Sequence, residues 1–326
     1  MIEIIDNLPD DVLNSLDLSE GIDVKFKGIK NVIIGGMGGS AIGGDIAKYY
    51  ASQYGNLPIE VVRDYELPNY ANEETLLICI SYSGNTEETI SLYKKGKKKK
   101  TQIFVITSNG ALEDISKKEK TPFILIPKGY APRCAIAYLF FPVLKILEKS
   151  EIIEVKQKDI KEVVSVLKEG KESAKKWAGE LSLKLKEKFP FVYSEERFAP
   201  VAKRLVTQIN ENSKSLAHFA TFPELDHNEI VGWENPKEIM KRFFIITMRS
   251  NSESERMRKR IDITIELIKE LAGEVTSIFA DGDSYLANIF SFIQKGDYLS
   301  YFLSQNYGVD PYPVKRIDEL KRRMSE

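Results

Sequence analysis

Short apolar runs, each too brief to be a helix, recur along this chain, and each is followed by a stretch at helical spacing. That grammar leaves few folds open. In the first half the runs fall at residues 31–34, 59–63, 76–80, 103–107 and 123–126. Continuous apolar runs alternating with helices read as buried strands of a parallel sheet with helices on both faces. Residues 152–188 are Lys/Glu-rich, with Val163, Val166, Leu167, Ala174, Trp177, Leu181 and Leu185 at helical spacing. They read as one or two amphipathic connecting helices. Strand-like runs resume at 191–193, 243–248 and 274–279, with helical stretches at 255–271 and 285–306. A chain of 326 residues is long for one core. The expectation is therefore an α/β protein of two three-layer αβα domains. Residues 1–150 form the first, 151–188 the connection, and 189–326 the second domain with a C-terminal helix.

Charge and rare residues narrow the function classes. Lys and Arg total 47 against 48 Asp and Glu, a formal net charge of -1. That balance removes the electrostatic argument for a nucleic-acid or membrane-surface protein. The Lys97–Lys100 run reads as a solvated helix end. With two Cys (Cys79, Cys134) and two His (His218, His227), neither a disulfide framework nor a Cys/His zinc cluster is expected. Carboxylate-only metal sites stay open. The start of the chain is acidic and periodic, unlike a signal peptide, and no run of about 18 apolar residues suits a membrane span. A cytoplasmic location is the expectation.

Two loops carry the chemistry. The run 31–34 breaks into Gly35-Gly36-Met37-Gly38-Gly39-Ser40 before a helix. Glycines there permit a tight turn and leave N–H groups uncovered at the positive end of the helix, which suits an anion. No Lys-Ser/Thr pair follows, as a Walker loop requires, and no acidic residue ends a second strand about 20 residues on, as a dinucleotide fold requires. The run 76–80 ends in Ser81-Tyr82-Ser83-Gly84-Asn85-Thr86-Glu87-Glu88. The bland reading is N-capping by Thr86 or Ser83, with a glutamate completing a capping box. Capping needs one hydroxyl, however, and three surround this turn (Ser81, Ser83 and Thr86), so phosphate binding is the better reading.

Ser-Tyr-Ser-Gly-Asn-Thr-Glu-Glu-Thr after a strand resembles the phosphosugar signature of the sugar isomerase (SIS) domain family. Residues 35–45, together with Ala131-Pro132-Arg133-Cys134-Ala135, Asn210-Glu211-Asn212-Ser213-Lys214 and 223–229, resemble one branch of it, the bifunctional phosphoglucose/phosphomannose isomerases. The matches run in order and cover both halves. The resemblance implies two SIS-type domains in a homodimer with a shared active site and no cofactor. It places Gly38, Gly39 and Ser40 near the reacting end of the sugar, and Ser81, Ser83 and Thr86 on the phosphate. It makes Glu211 the base that moves a proton between C1 and C2, Arg133 the group that stabilises the enediolate, and His227, reaching the site from the partner subunit, the ring opener. Lys321 would assist ring opening.

The chemistry is coherent without the family name. One carboxylate in a partly dry site can take and return the proton of an aldose–ketose exchange. A guanidinium stabilises the enediolate oxygen, and an imidazole suits ring opening near neutral pH. Each residue also has a plain reading. Glu211 alone is a helix-surface carboxylate, and His227 a loop histidine among Glu224, Asp226 and Glu229. His218, with apolar neighbours at helical spacing, is read as structural, and both cysteines as small buried packers. Two other readings compete. A sugar-phosphate-sensing regulator would have no use for Glu211, His227 and Arg133 together. The isomerising part of a glucosamine 6-phosphate amidotransferase would follow a glutaminase whose Cys succeeds Met1, where Ile2 stands. The loop Arg249-Ser250-Asn251-Ser252-Glu253 is a degenerate hydroxyl loop, so the second half is expected to be mainly architectural.

Overall fold

The computed structural model describes residues 1–324, and the chain divides into two compact units. One is Asn7–Val164; the other joins Met1–Asp6 to the chain from Ser165 onward. The boundary thus falls at 164/165 rather than at 150. It lies inside a helix of the Lys/Glu-rich stretch.

The short helix α1 (Ile2–Asp6) belongs with the second half and is described there. The first unit opens with α2 (Leu8–Glu20) and then builds β1 (Asn31–Gly35), α3 (Gly38–Tyr54), β2 (Ile59–Val62), β3 (Thr75–Ser81), α4 (Glu87–Lys98), β4 (Gln102–Thr107), α5 (Gly110–Glu119) and β5 (Phe123–Leu125). The five strands are all parallel, in the order β2-β1-β3-β4-β5. Every residue of β3 is buried, as a central strand covered on both faces must be. Helix α6 (Ile136–Lys149) is apolar nearly throughout and packs on α2 and α3. Gly43 makes the α3 contact possible, since a Cβ there would stand 2.8 Å from the Leu139 carbonyl.

Helix α7 (Gln157–Glu169) spans the boundary. The second unit continues with α8 (Lys171–Leu185), β6 (Phe189–Glu195), α9 (Ala199–Asn212), β7 (His218–Phe222), two single-turn helices α10 (Glu229–Gly232) and α11 (Lys237–Met240), β8 (Phe243–Arg249), α12 (Glu255–Ile268), β9 (Glu274–Phe279), α13 (Tyr285–Asn306) and α14 (Lys315–Met324). Its four strands are parallel in the order β7-β6-β8-β9. That order repeats β2-β1-β3-β4 position for position, so β8 is the counterpart of β3 and α9 of α3. Strand β7 corrects the helical reading of the segment around His218: the residue starts an edge strand paired with Phe191. A buried Arg204–Asp297 pair, in which one guanidinium nitrogen reaches both carboxylate oxygens at 2.9 and 2.7 Å and Gln208 joins at 2.7 Å, ties α9 to the long α13. The five-residue helix α1 docks here too. Asp6 accepts from Tyr298 (2.6 Å) and pairs with Lys175 (2.8 Å), and Ile5 is buried.

Candidate functional site

In the first unit the chain leaves β1 toward β2 and leaves β3 toward β4, so their carboxyl ends form the topological switch point where open α/β sheets bind ligands. Both sequence-selected loops lie there. They approach closely: a Cβ on Gly36 would stand 3.0 Å from the Ile80 carbonyl and 3.2 Å from the Ser40 side chain. Helix α3 begins at Gly38, so Gly38, Gly39 and Ser40 form its first turn rather than a preceding loop. Gly39 lets that turn meet a third segment, since its Cβ would lie 3.0 Å from the Pro132 carbonyl and 3.2 Å from the Arg133 Cα. Arg133, on a 3-10 turn, is buried at 6% exposure. The structure thus brings together Gly38–Ser40, the Ser81–Thr86 loop and the Arg133 segment.

Hydrogen bonds within the Ser81–Thr86 loop separate the two readings of its hydroxyls. Thr86 stands at the N-cap of α4 and Met37 at that of α3, yet among the described residues neither helix receives a side-chain cap. The Thr86 hydroxyl instead lies 2.8 Å from that of Ser81, which accepts from the Gly84 N–H at 3.1 Å. The exposed Ser83 hydroxyl accepts from the Asn85 N–H at 3.3 Å. Two helix N-termini therefore end at the switch point with first turns uncapped by side chains, an arrangement that suits an anion. The loop is held rigid from below. Gly84 takes φ +69° against Asn109, its carbonyl accepts from Leu112 N–H (3.0 Å), and Asn85 accepts from Ala111 N–H (2.9 Å). Asn85 was not singled out from sequence; its position next to Gly84 was the available signal. Cys79 is fully buried in β3, where desolvation pushes its thiol well above the ordinary range, and Cys134 is buried as well.

Glu211, His227 and Lys321 lie in the second unit on three separate elements. Glu211 is half-buried in the last turn of α9, where a carboxylate faces the negative end of the helix dipole. The turn is anchored by Asn212 to the Ser300 hydroxyl (3.0 Å) and by Ser213 to the Ser300 carbonyl (2.7 Å), while Lys214 donates to the Glu211 carbonyl. His227 ends a 3-10 turn and is exposed. The residues on either side of it are fixed. Asp226 binds Arg260 (2.9 Å) and Thr264 (2.7 Å). The Glu229 carboxylate accepts from Tyr193 (2.5 Å) and lies 2.9 Å from His218 Nε2, and Tyr193 accepts from Trp233 (3.1 Å). Burial pushes the Glu229 pKa up, but the bonds from His218 and Tyr193 outweigh it and hold the group below the ordinary carboxylate range. His218 is exposed, on a strand and bonded to Glu229. Lys321 is exposed on α14.

Comparison with known proteins follows the same division. Residues 25–126 match the SIS domain, and residues 174–324 match the bacterial phospho-glucose isomerase C-terminal SIS domain. The chain is 41% identical to a bifunctional phosphoglucose/phosphomannose isomerase of Caldicellulosiruptor bescii, covering 100% of this chain and 99% of that protein. It is 36% identical to one from Aquifex aeolicus, over 91% of each. Among solved structures, the C-terminal domain of glucosamine-fructose-6-phosphate aminotransferase from Francisella tularensis superposes with a TM-score of 0.73 at 18% identity, covering 96% of this chain and 97% of that one, which supports the fold alone.

Proposed function

The chain belongs to the bifunctional phosphoglucose/phosphomannose isomerase family, and from that premise we propose that it interconverts glucose 6-phosphate, and mannose 6-phosphate, with fructose 6-phosphate through a cis-enediol. The observation that carries the reading is the pair of helix N-termini, uncapped by side chains, at the β1/β3 switch point, with Ser81, Ser83 and Thr86 around one of them. These hydroxyls and amides hold the phosphate, and Gly38, Gly39 and Ser40 face the reacting end of the sugar. His227, supplied by the partner subunit of a dimer, opens the ring by moving a proton from the anomeric hydroxyl to the ring oxygen, and Lys321 assists. Glu211 then takes the C2 proton, and the C–H electron pair becomes the C1=C2 bond of an enediolate. Arg133 stabilises its oxygen charge. The O2 proton moves to O1 while Glu211 returns its proton to C1, which yields the ketose. No cofactor is assigned a step.

The test is a coupled assay run with both 6-phosphates. Glu211→Gln should abolish turnover while leaving phosphosugar binding intact. Full binding with substantial turnover would remove Glu211 as the base, and binding without turnover in the unaltered protein would favour a sugar-phosphate sensor. Mixed dimers of Glu211→Gln and His227→Ala should regain up to about a quarter of the activity, since half of the random dimers keep one whole site. No rescue in verified mixed dimers would refute the shared site.

A further inference from the structure

The two sheets place β3 and β8 at corresponding positions, and the loops that follow have the same length. Ser81 ends β3 and Thr86 is the N-cap of α4 five residues on; Arg249 ends β8 and Ser254 is the N-cap of α12, also five residues on. The two loops are filled in opposite ways. Ser254 does cap its helix, accepting from the Met257 N–H at 3.1 Å, which Thr86 does not do for α4. The anion in the second loop belongs to the protein itself. The Glu253 side chain, 2% exposed, accepts from the Ser250 N–H (2.9 Å) and takes a fork from Arg249, Nε at 2.9 Å to Oε1 and a terminal nitrogen at 2.9 Å to Oε2. Another Arg249 nitrogen binds Asp262 at 2.8 Å. The serines close on each other, Ser250 to Ser252 at 3.0 Å, with Arg197 reaching the Ser250 hydroxyl at 3.3 Å.

A carboxylate held by a bidentate guanidinium and a loop amide has the recognition pattern of a bound phosphate monoester. We propose that the loop after β8 is a phosphate-type site whose permanent occupant is the Glu253 carboxylate, so that each chain takes one phosphorylated sugar rather than two. A phosphate entering there would have to expel a buried carboxylate from its guanidinium, and would meet that carboxylate's charge while doing so. Glu253 stands where the first loop has Asn85, so one acidic residue marks the difference between an open loop and a closed one.

Counting sites tests this. Equilibrium dialysis of the whole protein with labelled sorbitol 6-phosphate, a reduced monoester that cannot isomerise, should give one site per chain. Two sites in the unaltered protein, or an anion seated on Arg249 in crystals soaked with tungstate, would overturn the proposal. Glu253→Ala frees the Arg249 fork and should raise the count to two. Should that variant not fold, Glu253→Gln keeps the side-chain shape, removes the charge, and should show the extra, weaker site. A correctly folded variant that still binds one equivalent at saturating ligand would also refute it. Because the readout is the number of sites and not turnover, loss of the isomerase reading would leave the result interpretable.

Discussion

Replacing Gly84 by alanine tests whether the hydroxyl loop is set by its backbone. Gly84 sits at φ +69°, and a Cβ there would stand 1.7 Å from the Asn109 carbonyl oxygen and 2.9 Å from Thr107 Oγ1. Holding an alanine in the left-handed region costs about 1–2 kcal/mol. The clash is with backbone, so the 107–110 turn has to move by more than an ångström, at about 1–3 kcal/mol for overpacking. That movement strains the Thr107 hydroxyl bond to the Asn109 carbonyl (2.8 Å) and the Leu112 N–H bond to the Gly84 carbonyl (3.0 Å). The expected loss is about 2–5 kcal/mol, a large share of ordinary stability. Gly129→Ala is the matched control: φ is +96° with nothing within 4 Å of the added Cβ, so only the conformational cost of about 1–2 kcal/mol applies. Urea unfolding of both variants gives the difference, and phosphosugar affinity should fall in Gly84→Ala alone. If Gly84→Ala is no less stable than Gly129→Ala, the loop does not depend on this contact and the reasoning fails.

Glu229 carries a pH signature. Its folded pKa is depressed, so the stabilisation is fully present above the unfolded value near ~4.3 and disappears as pH falls through the lower folded value. Melting temperatures of the protein and of Glu229→Gln should therefore differ at neutral pH and converge in acid; a gap persisting at the acid end would contradict the assignment. Arg204→Met leaves Asp297 buried without its partner and should cost about 3–5 kcal/mol in urea unfolding, with partial recovery in Arg204→Met/Asp297→Leu. An equal loss in the double variant would place the cost in packing instead. Cys79 and Cys134 are both buried, so an aromatic disulfide reagent should label neither quickly in native buffer and both in denaturant.

The sheets were legible where strands are buried on both faces, because 76–80 and 243–248 are apolar runs that no helix period fits. β7 was not. His218–Phe222 is an edge strand, exposed at one end and half-buried for most of its length, and only its pairing with β6 makes it a strand. The start of α3 was missed by three residues because Gly38-Gly39-Ser40 has poor helix propensity. Close packing of Gly39 on Pro132–Arg133 and of Gly43 on Leu139 overrides that propensity, and only glycine allows it. At the site, three hydroxyls around one turn could be read from the sequence. Their bonding to one another could not, since sequence does not say which way a hydroxyl turns within a five-residue loop, nor could the clamp of Tyr193 and His218 on Glu229, which joins residues distant in sequence.

The docking of α1 has a consequence for how the chain is made. Residues Met1–Asp6 leave the ribosome well before their partners Lys175 and Tyr298, which follow more than half a chain later. The second-half unit therefore cannot be completed from its own contiguous stretch: one piece of it is synthesised ahead of the whole first-half unit and must wait. Cutting the gene at the apparent domain boundary would yield a fragment lacking the Asp6 carboxylate and the Ile5 plug, with Lys175 and Tyr298 facing a gap. A separate peptide spanning those six residues is the piece that would have to be supplied in trans.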